Sequence, residues 1–308
     1  MPLISSGSKG VFVISATPFT ESGALDLASA DSLTDHYVAK GADGLTILGM
    51  MGEAPKLTQA ESRAFAARVI GRLPDLPVVV GVSAPGQAAI GELSKAVMDM
   101  GAAGVMVAPP GSLSTNESIE AYYAQVVETI GPDVPLVLQD FPLATNVAIS
   151  NGTLGRIFEA HPSIVMLKHE DWPGLSKISA LRDAEAAGRR RTSILCGNGG
   201  LFLPEEMARG ADGAMTGFCF PEMMTDVVRL MTAGETERAH DVFEAYLPLV
   251  RYEQQPGVGL AVRKHVFASQ GIIADARIRS PGAPLSPQAV AEVETIIRRQ
   301  AARLAHLS

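Results

Sequence analysis

Few residues in this chain could do chemistry, and the most unusual is Lys168, which directly follows the apolar run Ser163-Ile-Val-Met-Leu167. A lysine ending such a run holds its ammonium among aliphatic neighbours, where an isolated charge needs a reason. Two readings follow. Lys168 can pair with Glu170 or Asp171, or snorkel to a wet rim; or it can serve as a nucleophilic amine. At the ordinary pKa of about 10.4, roughly one lysine in 2,500 is neutral at pH 7. Desolvation that brings the value to about 7–8 supplies free amine for a Schiff base with a keto substrate.

The remaining candidates also end or follow apolar runs. Thr17 follows the first run, and Gly49-Met50-Met51-Gly52-Glu53 follows the second. Glycines at both ends of that turn let backbone N–H groups face a small anion, such as the carboxylate beside a ketone. Glu53 also suits a helix N-terminus, where the macrodipole favours a carboxylate. Gln139 and Asp140 end the fifth run, Lys168 and then His169, Glu170 and Asp171 the sixth, and Asn198 the seventh; Met215 lies in the eighth as a candidate lining residue. Asn198, within Gly197-Asn-Gly-Gly200, either faces a substrate or supplies left-handed turn geometry. Gln139 can orient a substrate or water but has no proton titrating near neutrality, so proton transfer falls to Glu170, His169 or an ordered water. His169, Glu170 and Asp171 also invite a metal reading. Three consecutive side chains rarely converge on one ion, and no His-x-His or His-x₃-His pair supports them, so neither metal nor cofactor is expected.

These positions acquire meaning from the elements that carry them. Apolar runs at Gly10–Ala16, Gly44–Gly49, Val78–Val82, Gly104–Ala108, Leu136–Asp140, Ile164–Lys168, Ile194–Gly197 and Ala214–Gly217 read as buried strands. Helical periodicity fills the intervals at Leu27–Lys40, Thr58–Arg72, Gln87–Met100, Ser118–Ile130, Ser150–Glu159, Leu175–Ala187 and Pro204–Arg209. Thr58-Gln-Ala-Glu61 is a capping-box pattern, and Asn116 and Ser150 offer polar N-caps. The pattern predicts an α/β fold, a (β/α)8 TIM barrel over residues 1–220, with an open doubly wound sheet as the alternative. Residues 221–308 read as additional C-terminal helices packed on the barrel as one structural unit: Met223–Thr232, Glu235–Val250, Gly259–Ser269 and Pro287–His306. In such barrels the reactive groups stand at the C-terminal strand ends.

Composition narrows the class. With 308 residues, 47% of them hydrophobic, the chain can bury a substantial core. A net charge of −8 without a basic stripe argues against nucleic acid as a partner, and Arg189-Arg190-Arg191 reads as a solvated turn. No basic leader precedes an apolar stretch and no run spans a bilayer, so the expectation is a soluble, unexported, cytoplasmic protein with no membrane partner. Cys196 and Cys219, the only cysteines, suit small core residues in a reducing compartment.

Several segments together carry a resemblance: Ala16-Thr-Pro-Phe19, Gly23-Ala-Leu-Asp26, Lys40-Gly-Ala-Asp-Gly44, Gly49-x-x-Gly-Glu53, Gly101-Ala-Ala-Gly-Val-Met-Val-Ala-Pro-Pro110, Asp140-x-Pro142, Lys168, Lys264 and Arg279-Ser-Pro281 followed by Pro284-Leu285. In this order and spacing the chain resembles the dihydrodipicolinate synthase/N-acetylneuraminate lyase family from about residue 10 to 295. The resemblance implies a barrel with extra C-terminal helices, a dimer or more usually a tetramer, and a lysine Schiff base to pyruvate or another 2-keto acid. By it, Lys168 forms the imine and the Gly49–Glu53 turn holds the keto-acid carboxylate.

Departures from the family pattern redirect the expected reaction. Gln139 replaces the tyrosine of the usual Tyr-Asn-x-Pro ending, Met50 and Met51 replace the turn threonines, Ala144 stands where synthases carry an arginine, and Pro109–Ser114 has no tyrosine. The Gln-Asp-x-Pro ending, with Leu247-Pro-Leu-Val and Glu253-x-Gln255-x-Gly257, is similar to the branch of 2-keto-3-deoxy sugar acid dehydratases. The expectation is a lyase that dehydrates such an acid. The alternatives are pyruvate-dependent aldol cleavage or synthase-like condensation, a keto-acid-binding relative without turnover, and metal-dependent catalysis.

Overall fold

The computed structural model describes residues 2–307. Strands β1 (Gly10–Ile14), β2 (Gly44–Ile47), β3 (Val78–Gly81), β4 (Gly104–Val107), β5 (Leu136–Asp140), β6 (Ile164–His169), β7 (Ser193–Cys196) and β8 (Gly213–Ala214) pair in parallel in chain order. Gly10 and Val11 pair with Gly213 and Ala214, so β8 returns to β1 and closes the barrel, which excludes the open sheet. β8 is shorter than the apolar run from Ala214 to Gly217. Its neighbours still bond the continuing chain, Met215 N–H to Cys196 O at 2.8 Å and Ile14 N–H to Thr216 O at 2.7 Å.

Helices α1 (Leu27–Ala39), α2 (Gln59–Arg72), α3 (Gln87–Asp99), α4 (Asn116–Ile130), α5 (Pro142–Thr145), α6 (Asn151–Ala160), α7 (Leu175–Ala186) and α8 (Leu203–Ala208) lie between strands. The capping box forms as expected: Thr58 accepts the Glu61 N–H and Glu61 accepts the Thr58 N–H. Such a cap stabilises a helix by about 1 kcal/mol. Ser150 caps α6, whereas the cap of α4 is Thr115, one residue ahead of the expected Asn116. The short α5 had no periodicity to announce it. Beyond the barrel, α9 (Pro221–Thr232) packs on α8, β1 and α10 (Thr236–Glu253), followed by α11 (Gly259–Ser269) and α12 (Pro287–Leu304). α10 ends at Glu253, past the expected Val250, and this extra turn reaches the barrel mouth.

Strand alternation divides the apolar residues between two cores. Phe12, Ile14, Val79, Met106, Val137, Met166, Leu195 and Met215 fill the barrel interior. Val11, Val13, Val80, Val105, Leu138, Leu167, Ile194 and Cys196 face the helices. Cys196 and Cys219 are both free and buried, as their composition context suggested.

Candidate active site

The same alternation aims the polar ends of β5 and β6. Met166 points inward and Leu167 outward, so Lys168 points in and His169 out; Val137 and Leu138 do the same for Gln139 and Asp140. Gln139 and Lys168 are register partners on neighbouring strands. Lys168 Nζ lies 2.9 Å from Glu170 Oε2, and Gln139 Nε2 donates to that same oxygen at 2.7 Å. All three line a cavity of about 540 Å³ at the C-terminal end of the barrel. Lys168 thus makes the ion pair with Glu170 that one of its two readings expected, and it does so facing the cavity. Gly197 permits the arrangement, since a Cβ there would lie 2.1 Å from Glu170 Cγ.

The outward residues form a separate cluster. Lys177 Nζ on α7 lies 2.7 Å from Asp140 Oδ2 and 2.6 Å from Asp171 Oδ2, and donates to Ile149 O at 2.8 Å. Burial pushes the Asp140 carboxyl up to about 6 despite the pull of Lys177. Burial, reinforced by Lys177, pushes His169 down to about 4, so its imidazole is neutral at pH 7. His169 faces the helices and is no candidate for proton transfer in the cavity. The metal reading of His169, Glu170 and Asp171 fails on geometry, because alternation sends Glu170 toward Lys168 while Asp171 pairs with Lys177.

At β2 the glycine turn becomes a 3₁₀ turn over Met50–Gly52. Its first bonds are Gly52 N–H to Gly49 O and Glu53 N–H to Met50 O, so the Met50 and Met51 N–H groups precede any intrahelical partner. Met50 and Met51 line the cavity, whereas Gly49 and Gly52 supply the turn behind them. Thr17 is fully buried and donates to Gly52 O at 2.6 Å; it braces the turn rather than lining the cavity.

Glu53 departs most from expectation. It does not line the cavity, and it sits in left-handed geometry (φ 56°) between two 3₁₀ turns rather than in a helix. Its Oε1 lies 2.6 Å from Lys264 Nζ of α11, and its Oε2 lies 2.9 Å from Lys56 Nζ and accepts the Arg279 N–H at 3.0 Å. Lys264 Nζ also donates to Arg277 O at 2.8 Å and stands over the Phe19 ring. Burial holds the Lys264 pKa below the ordinary lysine value although Glu53 opposes the shift. Glu53 thus ties the barrel to α11 and to the segment that follows it. Since neither charge of the Glu53–Lys264 pair is exposed by more than 1%, Glu53→Gln should destabilise the protein by about 3–5 kcal/mol in urea unfolding. A loss below about 1 kcal/mol would contradict the assignment.

Asn198 has the left-handed turn geometry expected of it and also lines the cavity. Its φ is 51°, and its Nδ2 donates to the Glu170 carbonyl at 3.2 Å. Met215 has no exposed surface and belongs to the inner core, so it supports the cavity floor without lining it. The cavity's other wall comes from Trp172, Gln254, Arg263 and Ile278, none of which was a strand-end candidate, and from Thr216, which follows Met215 in the eighth run and was missed there. Arg263 is held by Glu253, with Nε 2.8 Å from Oε1, while Glu253 Oε2 accepts the Cys219 N–H at 3.0 Å. The sequence signals for this wall are the Glu253-x-Gln255-x-Gly257 pattern and the Arg279-Ser-Pro281 segment, whose Pro281 also lines the cavity.

A model of the dihydrodipicolinate synthetase family matches residues 7–300. The L-2-keto-3-deoxyarabonate dehydratase of Azospirillum brasilense is 30% identical over 299 residues, covering 94% of each chain. The 4-hydroxy-tetrahydrodipicolinate synthase 1 of Streptomyces coelicolor is 33% identical over 272 residues, 86% of this chain and 85% of that one. The crystal structure of dihydrodipicolinate synthase from Rhodopseudomonas palustris superposes with a TM-score of 0.96 at 51% identity, covering 97% of this chain and 100% of that one. With its closed barrel and cavity-facing lysine, the chain belongs to the dihydrodipicolinate synthetase family and is an enzyme of the lyase class.

Proposed function

We propose that this enzyme forms an imine between Lys168 and a 2-keto acid and dehydrates a 2-keto-3-deoxy sugar acid. The observation that carries the proposal is Glu170 Oε2, shared between Lys168 Nζ at 2.9 Å and Gln139 Nε2 at 2.7 Å. It sets one titratable oxygen beside the amine, while Gln139 orients it without competing for protons.

The steps balance around that oxygen. The free amine of Lys168 attacks C2, and loss of the carbonyl oxygen as water leaves the imine. The imine withdraws electrons from C3, and Glu170 takes the C3 proton. The electron pair expels the C4 hydroxyl, which leaves as water with the proton held by Glu170. Hydrolysis consumes one water and frees Lys168, so the net reaction removes one water. The Met50 and Met51 N–H groups suit the substrate carboxylate, as the resemblance implies for this turn.

Aldol cleavage or condensation starts from the same imine. Dehydration is favoured because Ala144 lines the cavity where synthases place an arginine, and because Gln139 leaves that strand end without a phenolic proton relay. The presence of a base beside the amine likewise favours turnover over keto-acid binding alone. A homodimer or tetramer in the cytoplasm belongs to the same proposal by family habit; no helix among the described residues is long and apolar enough to cross a membrane. Borohydride reduction with pyruvate or a 2-keto-3-deoxy acid tests the reading: the adduct mass should map to Lys168 by peptide mass spectrometry. No adduct across a panel of 2-keto acids would overturn it.

A further inference from the structure

We propose that Gln254 is the specificity-determining residue that reads a hydroxyl beyond C4 of the substrate, which makes the substrate a 2-keto-3-deoxy acid of five or more carbons. This rests on the imine reading of the same cavity.

The inference comes from comparing the four carboxamides that line the cavity. Gln139 donates to Glu170, Asn198 donates to the Glu170 carbonyl, and Gln255 Nε2 turns back to Tyr252 O at 2.9 Å. Gln254 alone has a side chain with no hydrogen-bond partner at either end among the described residues, although its backbone N–H is bonded to Val250 O. A carboxamide offers two donors and an acceptor, which complements a hydroxyl that both donates and accepts.

Its backbone is held in place by the end of α10. Gln254 terminates α10 directly after Glu253, which Arg263 and the Cys219 N–H clamp to the end of the barrel. On the other side the amide lies against Gly199, where φ is 66° and a Cβ would come 1.9 Å from Gln254 Nε2. Gly199 is itself held by its N–H to Thr216 Oγ1 at 2.8 Å. A side chain at this position would push the amide from where it lies. The lining also carries Met50, Phe141 and Leu143, whose side chains offer a hydroxyl no hydrogen bond. A polar group on one wall and apolar groups on others orient an asymmetric chain.

Kinetics with a five-carbon 2-keto-3-deoxy acid and with 4-hydroxy-2-oxobutanoate, which ends at the C4 hydroxyl, test the assignment. In Gln254→Leu the ratio of kcat/KM for the longer to the shorter acid should fall about tenfold, mainly through KM, as loss of one or two hydrogen bonds requires. Gly199→Ala should lower the same ratio by displacing the amide, and Gln254→Asn should recover part of it. An unchanged ratio in Gln254→Leu with both proteins folded would overturn the proposal. If the wild-type protein traps no keto acid at Lys168, the imine reading is what fails. Calorimetric affinity for the five-carbon acid then decides: a tenfold weakening in Gln254→Leu supports the assignment, and equal affinity overturns it.

Discussion

Lys168→Ala should lower kcat for the natural keto acid by about 10⁴ or more and abolish borohydride trapping. The amine is the only group in the cavity proposed to bond covalently to C2, so its removal eliminates the electron withdrawal that acidifies C3. The substitution also leaves Glu170, 5% exposed, with Gln139 as its remaining side-chain partner, so a stability loss must be separated from a chemical one. Lys168→Arg makes that separation. Its guanidinium keeps a positive charge beside Glu170 but stays protonated at pH 7 and cannot form the imine. If both variants fold, judged by cooperative unfolding, and both lose turnover, the nucleophile is assigned. Retention of more than about a tenth of the wild-type kcat in either variant would rule it out.

Glu170→Gln should reduce kcat for dehydration by about 10²–10⁴, the range expected when a positioned acid–base group is removed. An amide of nearly the same shape can still accept the Gln139 hydrogen bond, so the geometry around Lys168 is largely preserved. It can neither take the C3 proton nor return one to the departing hydroxyl. The informative result is a split between two measurements. Trapping of pyruvate at Lys168 should persist at slower rate, whereas water loss from the sugar acid should nearly stop. If dehydration keeps pace with trapping in this variant, the proton carrier is another group, and the shared oxygen between Lys168 and Gln139 serves only to orient the amine.

Both predictions rest on residues that a local pattern could find. Lys168 and Gln139 end strands whose period of two already states which side chains face inward once one face is known. Glu170 lies two residues beyond Lys168, within reach of the same wall. Asn198 needed no more than its place after β7, and its left-handed backbone agrees with its turn context. Glu53 shows where such reasoning ends. Its sequence neighbours suggest a ligand turn or a helix start, yet its decisive partner is Lys264, which lies far along the chain on α11. Thr17 and Met215, both strand-end candidates, do not line the cavity: one braces the turn and the other belongs to the inner core. Distinguishing a side chain that lines a cavity from one just beneath it requires the tilt and closure of the barrel.

The alternation of buried strands and amphipathic helices, with Lys168 at the end of the sixth strand, was determined by the sequence alone, because those features follow from short-range periodicity; closure of β8 on β1, which separates the barrel from the open sheet and turns Lys168 inward, was decided by the tertiary structure. Only the tertiary structure decided which residues Lys168 shares its cavity with. About a third of the residues that enclose it come from the end of α10 and the start of α11, where the Glu253 clamp holds Arg263 beside Gln254 at the barrel mouth. Such contacts between distant segments are selected by closure and packing of the whole chain, and no local pattern records them.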